Sequence, residues 1–194
     1  MARAGLNEVL VIEAAEVLAD ESGLDQMTMA RLAARLGVRQ SSLYKHVANI
    51  DGLKRAIALR AKRDLAEVLG HAGVGRAGAD AILSVSHAYR AFAHEHPGRY
   101  EAAQRAPRAG DTDDEVASRA VTQVVFEVLA AYELRDDDAV DAARTLRSGL
   151  HGFVSLESSG GFGLPVDVGR SFERLVGGLL AALSQWPRAD STSQ

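Results

Sequence analysis

From Leu10 to Trp186 the apolar residues return at spacings of three and four, segment after segment. That periodicity leaves little choice of fold. A period near 3.6 places every apolar side chain on one face of a helix, whereas a half-buried strand needs strict alternation. Leu10, Val11, Ala14, Val17 and Leu18 form one stripe, opposite Glu13, Glu16 and Asp20. Leu53, Ile57, Ala61, Leu65 and Val68 form a second; Ile82, Val85, Tyr89 and Phe92 a third. Val121, Val125, Val128 and Tyr132 follow, then Ala143, Leu146, Leu150 and Phe153. Phe172, Leu175, Leu179, Leu183 and Trp186 close the series. No segment shows sustained alternation, so the expected fold is all-α.

The punctuation divides these helices. Thr28 and Asn49 each precede an apolar-periodic run and can cap it, because a side-chain oxygen can accept an orphan backbone N–H. Gly70 to Gly78 contains four glycines and reads as a hinge or linker. Pro97-Gly98 ends the helix of Ile82. Arg108 to Asp114 reads as a polar loop, and Gly160 to Pro165 as a glycine-rich break. Asp136, Asp137 and Asp138 suit the positive end of a helix dipole. The expected division is a helical module over 1–48, a connecting helix over 49–70 and a larger helical domain over 71–187. A disordered tail over 188–194 is expected to follow.

Composition excludes several classes. The 194 residues include no cysteine, which removes disulfides, zinc ribbons and thiol catalysis and fits a reducing, cytoplasmic setting. No apolar run approaches the ~20 residues needed to span a bilayer, so no membrane association is expected. Met1 to Leu10 lacks the apolar stretch of a secretory signal. The net charge of −4 is uneven. Residues 31–63 hold nine bases (Arg31, Arg35, Arg39, Lys45, Lys54, Arg55, Arg60, Lys62 and Arg63) against the single acid Asp51, a balance of +8. A basic island in an acidic chain attracts polyanions if it forms a surface. The same bases would be a solvated helix face if nearby acids paired them.

The segment from Thr28 to Val47 lies in that island. Leu32, Ala33 and Leu36 form a short apolar face, followed at once by Gly37 and Val38, then by Leu43 and Val47. This is the layout of a helix-turn-helix. Ala33 is small where two helices must approach, and Gly37 suits a turn that needs φ > 0. The second helix then projects Arg39, Gln40, Ser41, Ser42 and Lys45 outward. Arg and Lys can pair with guanine, Gln with adenine, and Ser with several base edges. Thr28 at a helix N-terminus, Tyr44 and His46 suit phosphate oxygens. Tyr44 could instead be half-buried support for the turn.

These residues resemble the TetR family of transcriptional regulators. The likeness is carried by Thr28-(x)3-Leu32-Ala33-(x)2-Leu36-Gly37-Val38 and by Ser42-Leu43-Tyr44-Lys45-His46-Val47. It extends upstream to Ala14 and downstream to Ile57. His151-Gly152-Phe153-Val154-Ser155-Leu156-Glu157 is similar to a C-terminal domain of one branch of that family. The resemblance implies about nine helices, the first three binding DNA and the fourth connecting. It implies a second domain that binds a small effector and dimerises, and a repressor that leaves a double-stranded operator when the effector binds. It also carries Thr28, Arg39, Gln40, Ser41, Ser42, Tyr44, Lys45 and His46 over as DNA contacts. Many members have a phosphate-contacting Lys where Ile50 stands here; Lys54, one turn on, is the candidate substitute.

In the second domain His87, Phe92, Tyr100, Phe126 and His151 are candidate effector contacts, being polar or aromatic on helices that surround an interior. Gly149, Gly152, Gly177 and Gly178 would let helices approach closely and would serve a homodimer interface. His94 and His96 are about 200° apart on a helix and lack a third ligand, so no metal is expected. No cofactor is expected either. The chain shows no nucleophile elbow, no HExxH and no phosphate loop, which argues against an enzyme. A helical protein–protein adaptor is the other alternative to a DNA-binding regulator.

Overall fold

The computed structural model describes residues 5–186. Among these, nine α-helices and one 3₁₀ turn account for the regular structure, and there is no strand. The helices are α1 (Glu8–Ser22), α2 (Met29–Leu36), α3 (Gln40–Leu43), α4 (Ile50–Gly73), α5 (Gly78–Glu95), α6 (Pro97–Ala103), α7 (Thr112–Leu129), α8 (Asp136–Ser158) and α9 (Val168–Ser184). The all-α expectation holds because each helix has an apolar stripe to bury. The tail expected over 188–194 lies outside the described residues.

The chain folds as two units. The first comprises residues 1–65 and 95–118, the second 66–94 and 119–194. The first therefore holds α1–α3, most of α4, α6 and the start of α7. Segment 95–118, expected in the second domain, packs instead with the first 65 residues.

The first unit is built on a buried cluster that includes Val11, Ala15, Leu18, Leu32, Leu43, Leu53, Ile57 and Ala102. Its helix starts are capped as expected. Thr28 Oγ1 accepts the Arg31 N–H at 3.2 Å, and Asn49 Oδ1 accepts the Gly52 N–H at 2.8 Å. Asn7 caps α1 in the same way, through the Leu10 N–H at 2.9 Å. α6 lies against α1 so closely that a Cβ on Gly98 would overlap the Ala19 carbonyl group. Asp20 secures the junction by accepting both the Arg99 backbone N–H and its Nε–H, each at 2.8 Å. Glu16 is buried beside Arg60, whose Nε lies 2.9 Å from Oε1 without directing a hydrogen bond at it. Burial raises the Glu16 carboxyl above its ordinary range, against the opposing pull of Arg60.

The second unit buries Leu69, Ile82, Val85, Phe92, Val128, Leu146, Leu150, Val154, Phe172, Val176 and Leu183. Gly149 of α8 faces Leu179 of α9, where a Cβ would sit 3.1 Å from a leucine methyl. Close approach explains that glycine. Among the described residues nothing lies within 4 Å of a Cβ built on Gly152, Gly177 or Gly178.

Three local expectations need correction. Gly70 and Gly73 belong to α4, so the connection to α5 is only residues 74–77. The Arg108–Asp114 loop ends early, because α7 starts at Thr112 and takes Asp113 and Asp114 into its first turn. The α4 stripe continues through Leu69, which is buried, and leaves Val68 exposed. Residues 53, 57, 61, 65 and 69 keep a strict i, i+4 row, and such a row lies along one face.

Candidate nucleic-acid interface

The helix-turn-helix forms from local chemistry. Gly37 adopts φ 64°, ψ 33°, the left-handed conformation that favours glycine. It lets the Gly37 and Val38 N–H groups return to the Ala34 and Ala33 carbonyls at 3.2 and 3.0 Å. The chain thereby turns sharply out of α2 with its carbonyls satisfied. Leu32, Ala33, Leu43 and Val47 are buried and fix α3 against α2.

That anchoring leaves one face of α3 in solvent. Arg39, Gln40, Ser41 and Lys45 are exposed, Ser42 and His46 half-buried. Tyr44 is 50% exposed, so it does not prop the turn from inside. Its hydroxyl accepts a hydrogen bond from Gln40 Nε2 at 3.2 Å. Thr28 is exposed; its oxygen is engaged in the cap, and its O–H remains able to donate. Lys54 is half-buried, with its Nζ 4.0 Å from Asp25. Arg39, Gln40, Ser41, Tyr44 and Lys45 are therefore exposed around α3, and Thr28 stands at the N-terminus of α2.

The basic island, by contrast, is not a basic surface. Arg35 pairs with Glu21 through two hydrogen bonds at 2.5 and 3.0 Å. Arg55 pairs with Asp111 and Asp113, Arg60 with Glu16 and Glu13, and Lys62 with Asp114. Lys54 faces Asp25. Acids distant in sequence fold back onto these five bases. The Arg55 contact holds the Asp111 carboxyl down at about 2. Arg31 donates to the Gln26 carbonyl at 2.7 Å. Arg39 and Lys45, both on the exposed face, have no carboxylate partner among the described residues. Arg31 and Arg63 are likewise exposed and without a carboxylate partner among the described residues, so the positive charge available to a polyanion is smaller than +8, and two of its four unpaired bases flank α3.

The candidate effector residues are dispersed. Tyr100 lies in α6 and so belongs to the first unit, where it is buried. His87, Phe92, Phe126 and His151 lie in the second. Phe92 is core, and Phe126 is half-buried. His151 is half-buried, and burial together with Arg147 pushes its imidazole down. His87 contacts Glu173 at 3.0 Å and the edge of Phe172, with ring centroids 5.5 Å apart. Next to it lies a cluster that periodicity did not single out. Arg90 pairs with Glu157 through two N–H groups, at 2.9 and 2.5 Å, and its guanidinium lies 4.9 Å from the Phe172 ring centroid. His94 Nε2 is 2.8 Å from the same carboxylate, and the Glu157 carboxyl is lowered chiefly by Arg90. His94 and His96 face different partners, Glu157 and Asp20, and no cluster of metal-ligating side chains exists among the described residues. The His151–Glu157 motif contains its carboxylate, but the 67 residues separating Arg90 from Glu157 hid the pairing.

An exposed reading helix on a tight left-handed turn, joined to a second helical unit, defines a two-part DNA-binding regulator. Known proteins agree. The family model described as bacterial regulatory proteins, tetR family, matches residues 11–57, and that for the tetracyclin repressor-like C-terminal domain matches residues 82–179. The HTH-type transcriptional regulator Rv0681 of Mycobacterium tuberculosis is 40% identical over 158 residues, covering 81% of this chain and 72% of that one. The HTH-type transcriptional regulator YobS of Bacillus subtilis is 31% identical over 182 residues, covering 93% and 94%. Among solved structures, a TetR variant from Acinetobacter baumannii AYE in complex with minocycline shares the fold, with a TM-score of 0.69 and 23% identity over 95% of this chain and 100% of that one. The chain belongs to the tetR family of bacterial regulatory proteins.

Proposed function

We propose that the protein is a dimeric, sequence-specific repressor that leaves a pseudo-palindromic operator when a small molecule binds its second unit. The observation that carries the reading is the exposed face of α3, where Arg39 and Lys45 stand free of carboxylates while five neighbouring bases are neutralised. Arg39, Gln40, Ser41, Ser42 and Lys45 read base edges. Thr28, Tyr44, His46 and Lys54 hold phosphates.

Dimerisation follows from the geometry of DNA, since two reading helices must reach half-sites roughly 34–36 Å apart. The outer faces of α8 and α9 suit a partner. Leu156 is 51% exposed, and Gly152, Gly177 and Gly178 leave open space for close helix approach. The effector binds in the second unit, where His87, Phe92, Phe126 and His151 supply polar and aromatic groups. The minocycline bound to the A. baumannii relative supports a small-molecule ligand for this fold. No helix among the described residues is long and apolar enough to cross a membrane.

Selection from a random-sequence duplex pool tests the reading. A preferred site with two half-sites about one helical turn apart is expected. Recovery of no preferred sequence would sink it.

A further inference from the structure

Gln40 opens α3 and Tyr44 closes it, four residues later on the same exposed face. The Gln40 amide donates one N–H to the Tyr44 hydroxyl at 3.2 Å. A glutamine amide has two N–H donors and one carbonyl acceptor. With one N–H given to Tyr44, one N–H and the carbonyl oxygen remain. That pair complements the N7 acceptor and N6 amino donor that adenine shows in the major groove.

An unheld amide turns about its last torsion between two broad orientations, which exchange its donor and acceptor. A hydroxyl has one proton. Once Tyr44 gives that proton to a phosphate oxygen, which only accepts, the hydroxyl can only accept from Gln40. The turned amide would then set its carbonyl oxygen against the hydroxyl oxygen without a proton between them. The phosphate contact thus selects one orientation of the neighbouring base reader.

We infer that Tyr44 determines sequence specificity without touching a base, by orienting the Gln40 amide toward adenine. This rests on the reading of α3 as the DNA-reading helix.

The test compares the full-length protein with Tyr44→Phe, Gln40→Ala and the double variant. Each is put through selection from a random duplex pool and then titrated with single-base variants of the recovered site. Tyr44→Phe removes only a hydroxyl from an exposed side chain, so the fold is preserved. The unaltered protein should prefer A·T at the Gln40 position by roughly 5- to 150-fold, the range for one bidentate contact. Tyr44→Phe should lower that preference part of the way toward the level of Gln40→Ala, because the freed amide can also present its donors to other bases, keep the preferences at all other positions, and add no further loss of preference in the double variant. A uniform weakening on all duplexes, with the A·T preference retained, would overturn the inference and leave Tyr44 a phosphate contact alone. So would a Gln40→Ala protein with unchanged preferences, although the regulator reading would stand. If the unaltered protein selects no site, the regulator reading fails and this inference with it.

Discussion

Gly98 at the start of α6 packs directly on the backbone of Ala19 in α1, with no room between them for even a methyl group. Two polar ties flank this contact. Arg99 is held by Asp20, and the Leu24 N–H is donated to Glu101 at 3.3 Å. Residues that follow α5 in sequence are thereby built into the unit that carries α3.

Replacing Gly98 with Ala should therefore separate α6 from α1. The obstructing atoms are backbone and cannot rotate away. Overpacking of this kind costs about 1–3 kcal/mol or more. Urea unfolding should show the loss as a lower midpoint, whereas Gly152→Ala, inside α8 with no described atom within 4 Å of the new Cβ, should raise the midpoint of the monomer, Ala being favoured over Gly in a helix by about 1 kcal/mol.

Lys62 and Asp114 form a buried pair between α4 and α7, with Nζ 2.5 Å from Oδ1 and Ser118 Oγ at 3.0 Å from the same ammonium. The Lys62 residue is 2% exposed and Asp114 7%. Removing one partner strands the other charge, at a cost of about 3–5 kcal/mol. Lys62→Met alone should be strongly destabilising. Lys62→Met with Asp114→Leu should recover most of the loss, because a packed apolar pair avoids desolvating two ions. A double variant no better than the single would show that the pair itself supplies the stability.

The Asp111 carboxyl is held at about 2, below its ordinary 3.8, by the hydrogen bonds from Arg55. A carboxyl depressed in the folded state contributes stability above its unfolded value, and that contribution is lost as pH falls through the folded one. Glu157 in the second unit is lowered in the same direction by Arg90. Thermal midpoints should therefore fall between pH 4 and about 2, and Asp111→Asn should flatten part of that decline. An unchanged acid limb in Asp111→Asn would show that the pair is open in solution.

Charge pairing predicts which bases govern salt dependence. Each phosphate contact contributes about 0.9 to the slope of log affinity against log salt on duplex DNA. Lys45 brings an unpaired positive charge into the groove along with its base contact, so Lys45→Ala should weaken binding and lower the slope by up to about one unit. Arg35→Gln, whose guanidinium is occupied by Glu21, should leave the slope unchanged. Equal effects from the two variants would mean that the ion pair opens on DNA.

Much of this was legible in the chain because it is local. Helix number, caps at Thr28 and Asn49, the left-handed turn at Gly37 and the outward face of α3 each depend on residues within one or two turns. Periodicity and backbone geometry act at that range, so the residues alone determined an all-α chain with a helix-turn-helix near its start. What only the tertiary structure decided involves partners far apart in sequence. Arg55 and Asp111 are 56 residues apart, Asp20 and Arg99 are 79, and the Ala19–Gly98 contact is of the same range. Coulomb attraction and van der Waals contact act on spatial distance, which periodicity does not reveal. The +8 stretch therefore looked like a basic surface as a string of letters. Folding brought acids from α1, α7 and the loops beside them onto five of its nine bases and left Arg39 and Lys45, with Arg31 and Arg63, free of carboxylates among the described residues.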